Sequence, residues 1–356
     1  MGNIPVRNGF KARYSILPEN EDVILHRKLP PRVEHGGFVK RCREETGKTI
    51  IDFSASLNPF PPRISTDSTP ALFDHYPDDT YAVLKERIGR LFHRKPEEIA
   101  VGNGSIEIIR AFCQWKFQGG GSALVEPPTF GEYVLSSELA GGHKVSDGED
   151  PTVHFICNPN NPTGELKKKD DIIALLDGYS GTGTCLFLDE AFIELADPFQ
   201  SLSDMRSPDL FVLRSLTKSF AVPGIRFGYA FGEPELITAV ETLRPPWSVN
   251  ALAEQCALEA FSRYEELRES REKIKTEREF LSEGLTGRGF LVTPSRANFI
   301  LAAAGMPAAL LCRRLLEKGI LVRDCTSFGL PQSIRVAVRN RAENRLLIEA
   351  IAECLH

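Results

Sequence analysis

Between about residues 100 and 232 the chain alternates short apolar runs with stretches of helical spacing, and this alternation limits the fold more than any other feature. The runs are SALVEP, TVHFICN, TCLFLDE, LFVLRS and FGYAFG; residues 105–116, 131–139, 168–176 and 233–243 carry the helical pattern. Such a succession predicts βαβ units, hence an α/β fold with a mostly parallel sheet covered on both faces by helices. Ligand-binding groups in such sheets collect at the carboxyl ends of the strands.

The segment Arg244-Pro245-Pro246-Trp247 interrupts the pattern. Beyond it, a helical stretch rich in Glu, Arg and Lys is expected over residues 251–285. ANFILAA, ILVRDC and SIRVAVR then read as strands, with helices at 307–318 and 342–354, which suits a smaller α+β domain. Roughly the first thirty residues are polar and irregular and read as an arm. TYAVLKERIGRLFHR, farther on, has the spacing of an amphipathic helix. The expected division is an arm over 1–48, a large domain over 49–246 and a small domain over 247–356.

A chain of 356 residues is too long for one small core. A hydrophobic fraction of 42% with 26% charged residues is that of an ordinary globular protein. Net charge is -5 and no basic stripe with interleaved aromatics appears, which argues against a nucleic-acid partner. No apolar run is long enough to cross a bilayer, and the N-terminus lacks the apolar core of a secretory signal, so the chain reads as cytoplasmic. The eight cysteines form no CxxC pair, so neither a disulfide framework nor a metal site is expected.

Four motifs stand at or just after strand ends. Lys218 lies in Ser215-Leu216-Thr217-Lys218-Ser219-Phe220, after LFVLRS; a lone lysine there is by default a surface residue. Asp189 ends CLFLD, where it could pair with a buried cation or simply cap a helix. Asn158-Pro159-Asn160-Asn161-Pro162-Thr163-Gly164 is a rigid turn, either structural or presenting the Asn161 amide to a phenolate oxygen. Gly102-Asn103-Gly104-Ser105 precedes a helix start, where backbone N–H groups could hold a phosphate. Arg226 supplies a cation for the same phosphate.

Taken together, GNGS, NPNNPTG, DEA, SLTKSF and Arg226, in this order and spacing, resemble the fold-type-I enzymes of the aminotransferase family, which use pyridoxal 5'-phosphate. The resemblance runs from about residue 50 to the C-terminus and implies a large domain with a seven-stranded-type sheet. It implies that Lys218 holds the cofactor as a Schiff base and shuttles protons, that Asp189 pairs with the pyridinium nitrogen, and that Asn161 bonds the ring oxygen. Gly104, Ser105, Ser215 and Arg226 would hold the cofactor phosphate, and Phe130 would stack on its ring. Tyr76, in HYPDDTY, resembles a tyrosine that reaches the phosphate from a neighbouring subunit, which implies a homodimer with shared sites. Arg335 matches the arginine that binds the substrate α-carboxylate.

Two branches of that family fit the motifs: histidinol-phosphate aminotransferase, and threonine-phosphate decarboxylase of the cobalamin pathway. His35-Gly36-Gly37, IDFSASLNPFPP, ILVRDCTSFGLP and SIRVAVRNRAEN resemble the decarboxylase branch, as does Phe192, where the aminotransferase branch usually carries Tyr. By this resemblance His35, Gly37, Asn58 and Arg323 would form a pocket for the substrate phosphate, and Arg339 would help Arg335 with the carboxylate. His35 could equally cap a turn, and Arg339 could be a surface residue. A rival of another class is a ligand-binding regulator built on the same fold; the intact Lys218, Asp189 and Arg335 argue against it. The arm before His35 is longer than the family pattern. It could cover the site, extend a subunit contact or lack fixed structure.

Overall fold

The computed structural model describes residues 29–65, 74–146 and 150–355. Of the expected arm, residues 1–28 lie outside the described residues; the elements below belong to the unit Pro31–His356.

In chain order, α1 (Val39–Thr46), β1 (Ile51–Asp52) and α2 (Ala82–Phe92) lead into β2 (Ile99–Gly102), α3 (Ser105–Lys116), β3 (Ser122–Val125), α4 (Glu132–Leu139) and β4 (His143–Val145). There follow β5 (Val153–Cys157), α5 (Lys169–Gly178), β6 (Cys185–Asp189), β7 (Leu210–Ser215), the single turn α6 (Leu216–Ser219), β8 (Gly228–Phe231) and α7 (Pro234–Leu243). The C-terminal part holds α8 (Ala251–Ser262), α9 (Leu267–Thr286), β9 (Leu291–Val292), β10 (Phe299–Ala303), α10 (Ala308–Glu317), β11 (Ile320–Leu321), β12 (Arg323–Asp324), β13 (Ser333–Ala337) and α11 (Arg341–Cys354).

Seven strands form the main sheet in the order β2-β8-β7-β6-β5-β3-β4. All neighbours are parallel except β8, which runs antiparallel to both β2 and β7. This is the α/β architecture expected from the alternation. The five apolar runs all became strands; β4, with His143 and Lys144 exposed, is an edge strand whose polar sequence gave no signal.

Successive strand residues face opposite ways, so β6 and β7 feed two cores. Leu186, Leu188, Leu210 and Val212 enter one core with α2 and α8; Phe187, Phe211 and Leu213 enter the other with α3 and α7. Burying each such side chain stabilises the fold by roughly 1.5–3 kcal/mol.

A second, antiparallel sheet, β12-β13-β10-β9, packs against α10 and α11 around a third core. The strand pair β1–β11 and Phe53 belong to that core, so residues 51–53 pack with the C-terminal part of the chain. Conversely, Ala253, Ala257, Ala260 and Phe261 of α8 lie in the first core.

The helix expected over 251–285 is two helices. α8 stops at Ser262 and a tight turn, Tyr264–Glu266, precedes α9. The break lets the Tyr264 ring meet Phe92 edge-on at 5.4 Å and aligns Leu267 with the first core. α9 then runs between cores: Leu267 and Ile274 sit in the first, Leu281 and Leu285 in the third.

Candidate active site

Lys218 stands on α6, directly after β7, with Asp189 at the end of neighbouring β6 and Cys157 at the end of β5. Parallel strands in register bring all three ends to one rim of the sheet. There they line a cavity of about 460 Å³, together with Ser105, Phe130, Asn161, Phe192, Ser215, Arg226, Arg323 and Arg335. A larger open groove of about 870 Å³ between α3, α4 and α7 contains none of these groups, so size does not mark the site; the side chains do.

The Lys218 side chain is partly buried, and its pKa is pushed down to about 8 by burial and by the charges of Arg335 and Arg226. At neutral pH it therefore has an appreciable neutral, nucleophilic fraction, as a lysine needs for covalent catalysis. Asp189 is buried. Its Oδ2 accepts from Tyr133 Oη at 2.7 Å and its Oδ1 from the Ala191 N–H at 2.9 Å. Burial pushes its carboxyl up despite these bonds. A carboxylate so placed gains from any cation brought close to it.

A phosphate cradle lies at the start of α3. Gly104 precedes the helix at φ +80°, and a Cβ there would lie 2.4 Å from Arg226 Nη2. A Cβ on Gly228 would fall 2.4 Å from the Ser105 nitrogen. Two missing side chains thus let the Arg226 guanidinium and strand β8 close on the N–H groups of a helix start, an arrangement suited to a phosphate.

On the opposite wall, Arg323 and Arg335 are cross-strand partners on β12 and β13, and both are buried. Arg335 Nη2 donates to the Ser54 carbonyl at 2.8 Å and its Nη1 to Asn161 Oδ1. Its Nε is buried with no hydrogen-bond partner among the described residues. Burial lowers its pKa to about 10, which still leaves it cationic at neutral pH. Arg323 Nη2 donates to the Glu34 carbonyl at 2.9 Å and to Ser327 Oγ at 2.6 Å. His35, from the segment before α1, reaches the same wall. Its neighbour Gly36 allows this approach, since a Cβ there would lie 2.6 Å from the Ser54 carbonyl oxygen.

The model of the family described as aminotransferase class I and II matches residues 143–351. The chain belongs to this family. The class I and II aminotransferases depend on pyridoxal 5'-phosphate. A histidinol-phosphate aminotransferase of Symbiobacterium thermophilum is 30% identical over 352 residues, covering 92% of this chain and 97% of its own length. A protein of Caldanaerobacter subterraneus named "Putative threonine-phosphate decarboxylase" is 34% identical over 354 residues, covering 91% and 94%. The solved structure of histidinol-phosphate aminotransferase from Sinorhizobium meliloti in complex with pyridoxal-5'-phosphate superposes with a TM-score of 0.79, covering 89% of this chain and 94% of that one; at 21% identity it speaks to the fold.

For a class I and II aminotransferase the donor set fits the cofactor. There is an amine of lowered pKa, a buried carboxylate, a phosphate cradle cleared of side chains, and an aromatic ring, Phe130, on the cavity wall.

Five residues expected at the site are not among those lining the cavity: Gly104, which backs the Arg226 guanidinium, and the four that follow. Asn58 is buried, its Nδ2 donating to the Ser219 carbonyl at 2.7 Å and its Oδ1 accepting from the Phe60 N–H at 2.9 Å. With its own N–H on the Lys218 carbonyl at 3.0 Å, it pins the Lys218 turn from behind. Gly37 donates its N–H to Ser54 Oγ at 2.8 Å, and it is Gly36 that lines the wall. Arg339 spends its guanidinium on Glu343, at 2.9 and 3.0 Å, and on the Asp52 carbonyl at 3.0 Å. Tyr76 is exposed and stacks on Trp247 at 4.5 Å.

Sequence reasoning missed Tyr133, the partner of Asp189, and Glu132, whose Oε1 lies 3.0 Å from His35 Nε2. Their place within EPPTFGEY, beside Phe130, was the only signal.

Proposed function

We propose that the protein is a pyridoxal-phosphate-dependent decarboxylase of L-threonine O-3-phosphate, giving (R)-1-aminopropan-2-yl phosphate for cobalamin biosynthesis. The observation that carries this reading is the wall of buried cations opposite Lys218. Arg335 and Arg323 stand side by side, with His35 on the same wall, and offer separate anchor points to a substrate bearing both a carboxylate and a phosphate. Phe192 favours the decarboxylase over the aminotransferase: it lines the cavity with its ring 5.9 Å from the Lys218 ammonium, and it offers no hydroxyl.

When bound, pyridoxal phosphate supplies a conjugated sink for the electrons of the bond broken at the substrate Cα. Lys218 would hold the cofactor, Asp189 would pair with its ring nitrogen, and Ser105, Ser215 and Arg226 would hold its phosphate. Arg335 would bind the substrate carboxylate, with Arg323 and His35 on the substrate phosphate. Anchoring both ends of the substrate fixes the torsion about Cα, so remote binding energy decides which bond is weakened. The Lys218 amine, with its lowered pKa, can return a proton to Cα after CO2 leaves. Tyr76, exposed on the surface, is proposed to complete the cofactor phosphate site of a second subunit.

The test is to supply L-threonine O-3-phosphate and pyridoxal phosphate without any 2-oxo acid and follow CO2. Sustained release, abolished by Lys218→Ala, is expected. Glutamate formation from histidinol phosphate and 2-oxoglutarate, without CO2 release from threonine phosphate, would overturn the reading in favour of the aminotransferase.

A further inference from the structure

Glu132 opens α4 with its carboxylate buried and divided between the side chains of His35 and Arg110. Oε1 lies 3.0 Å from His35 Nε2, and Oε2 accepts from Arg110 Nη2 at 2.8 Å. Burial alone would push this carboxyl up. The bonds from His35 and Arg110 outweigh it and hold the pKa below the usual carboxylate range, so Glu132 is an anion at neutral pH. A glutamate in a first helical turn is ordinary helix chemistry, and the ion pair with Arg110, on the preceding helix α3, needs no further explanation. The His35 contact is different. It joins residues 97 positions apart and ties a half-exposed imidazole of the cavity wall to a buried anion.

A carboxylate facing Nε2 keeps a proton on that nitrogen and stops the ring from turning over. Nδ1 is then the ring atom left to face a ligand, and an N–H there can donate to a phosphate oxygen. The ring is also held 5.9 Å from the Phe130 ring, on the same wall as Arg323. An imidazole fixed in this way loses less conformational freedom when an anion binds than one left to rotate.

We propose that Glu132 is a positioning residue for substrate selection: it clamps His35 so that the imidazole meets the phosphate ester, and thereby sets the preference for phosphorylated over unphosphorylated amine substrates. The proposal rests on the phosphorylated-substrate reading above and adds to it a residue that does not line the cavity.

Glu132→Gln keeps the shape and an oxygen acceptor while removing the charge, so the fold is expected to survive; His35→Ala and the double variant complete a cycle. Two substrate pairs are assayed on each holoenzyme, L-threonine O-3-phosphate with L-threonine and histidinol phosphate with histidinol. Binding of inorganic phosphate is measured in parallel by calorimetry. Glu132→Gln is expected to raise KM for the phosphorylated member about tenfold, the scale of one weakened charge-assisted bond. It should weaken inorganic phosphate similarly while kcat and the KM of the unphosphorylated member stay within about twofold. The double variant should lose no more than His35→Ala alone. Equal effects on both members of a pair, additive losses in the double variant, or phosphate binding indifferent to Glu132→Gln would each overturn the clamp. Failure of the wild type on both substrate pairs would instead sink the substrate reading, and the phosphate titration would still decide the role of Glu132.

Discussion

Tyr133 and Asp189, 56 positions apart, meet at the cavity as a hydrogen-bonded pair 2.7 Å across, and both are buried. The tyrosine ring is stacked on Phe155 at 5.3 Å with the planes 13° apart, so its hydroxyl has little freedom to look elsewhere. Asp189 thus arrives at the cavity already oriented, with its negative charge supported by one phenol and one backbone N–H.

Tyr133→Phe removes that phenol and leaves the ring packing in place. The lost bond to a charged, buried acceptor should cost about 2 kcal/mol of folding stability. The carboxyl of Asp189 should rise further, since a bond to its ionised form is gone. Urea unfolding of the cofactor-free protein checks the first, and weakened retention of pyridoxal phosphate checks the second.

Lys218 makes stability depend on pH in an unusual direction. Its folded pKa of about 8 lies below the ordinary lysine value, so the unfolded chain holds the extra proton between about pH 8 and 10.5. The folded state therefore carries the full cost of this lysine below about pH 8, and the cost is relieved as pH rises through that window. Without cofactor, Lys218→Met should be more stable than wild type at pH 7, by up to about 3 kcal/mol, and the gap should shrink toward pH 10.5. Denaturant midpoints at several pH values give the comparison; a gap that widens with pH would contradict it.

Gly104→Ala places a methyl group where Arg226 Nη2 now lies, on a backbone with φ +80°. That backbone conformation, with ψ 158°, is open essentially only to glycine and costs about 1–3 kcal/mol for a residue with a side chain, and the displaced guanidinium adds the loss of a cradle cation. Affinity for pyridoxal phosphate should fall by at least about tenfold with little change in overall fold, as read by cofactor titration and circular dichroism.

Asn58→Ala tests whether this residue serves the substrate or the turn. Its amide satisfies the Ser219 carbonyl and the Phe60 N–H in a buried setting, so truncation should cost about 1–3 kcal/mol. The phosphorylated and unphosphorylated members of a substrate pair should suffer alike. A selective loss for the phosphorylated one would return Asn58 to the substrate pocket.

The main sheet was legible because its central strands are buried on both faces, and such strands leave continuous apolar runs with their chemistry at the ends. Lys218 and Asp189 were legible for the same reason: each polar group terminates an apolar run. The break at Arg263 was not, since no Gly or Pro lies between residues 251 and 283 and only the fit of Tyr264 against Phe92 creates it. Asn58 and Arg339 show a second limit. Likeness to a family supplies the residue type, but the partners its side chain binds lie in the local fold, in Ser219 for one and Glu343 for the other. Contacts such as Tyr133–Asp189 and Glu132–His35 join remote stretches of chain through single side chains, and one pair leaves no periodicity to read.

The cavity wall is assembled from both sides of α9: Lys218 and Asp189 stand on the sheet that holds its first half, Arg323 and Arg335 on the sheet that holds its second. A continuous helix of 20 residues is nearly inextensible, because lengthening it means breaking its backbone ladder. The cationic wall therefore cannot retreat from the lysine by simple separation along this axis. α9 thus fixes the spacing of the two walls along its length, with its buried leucines seated in both cores.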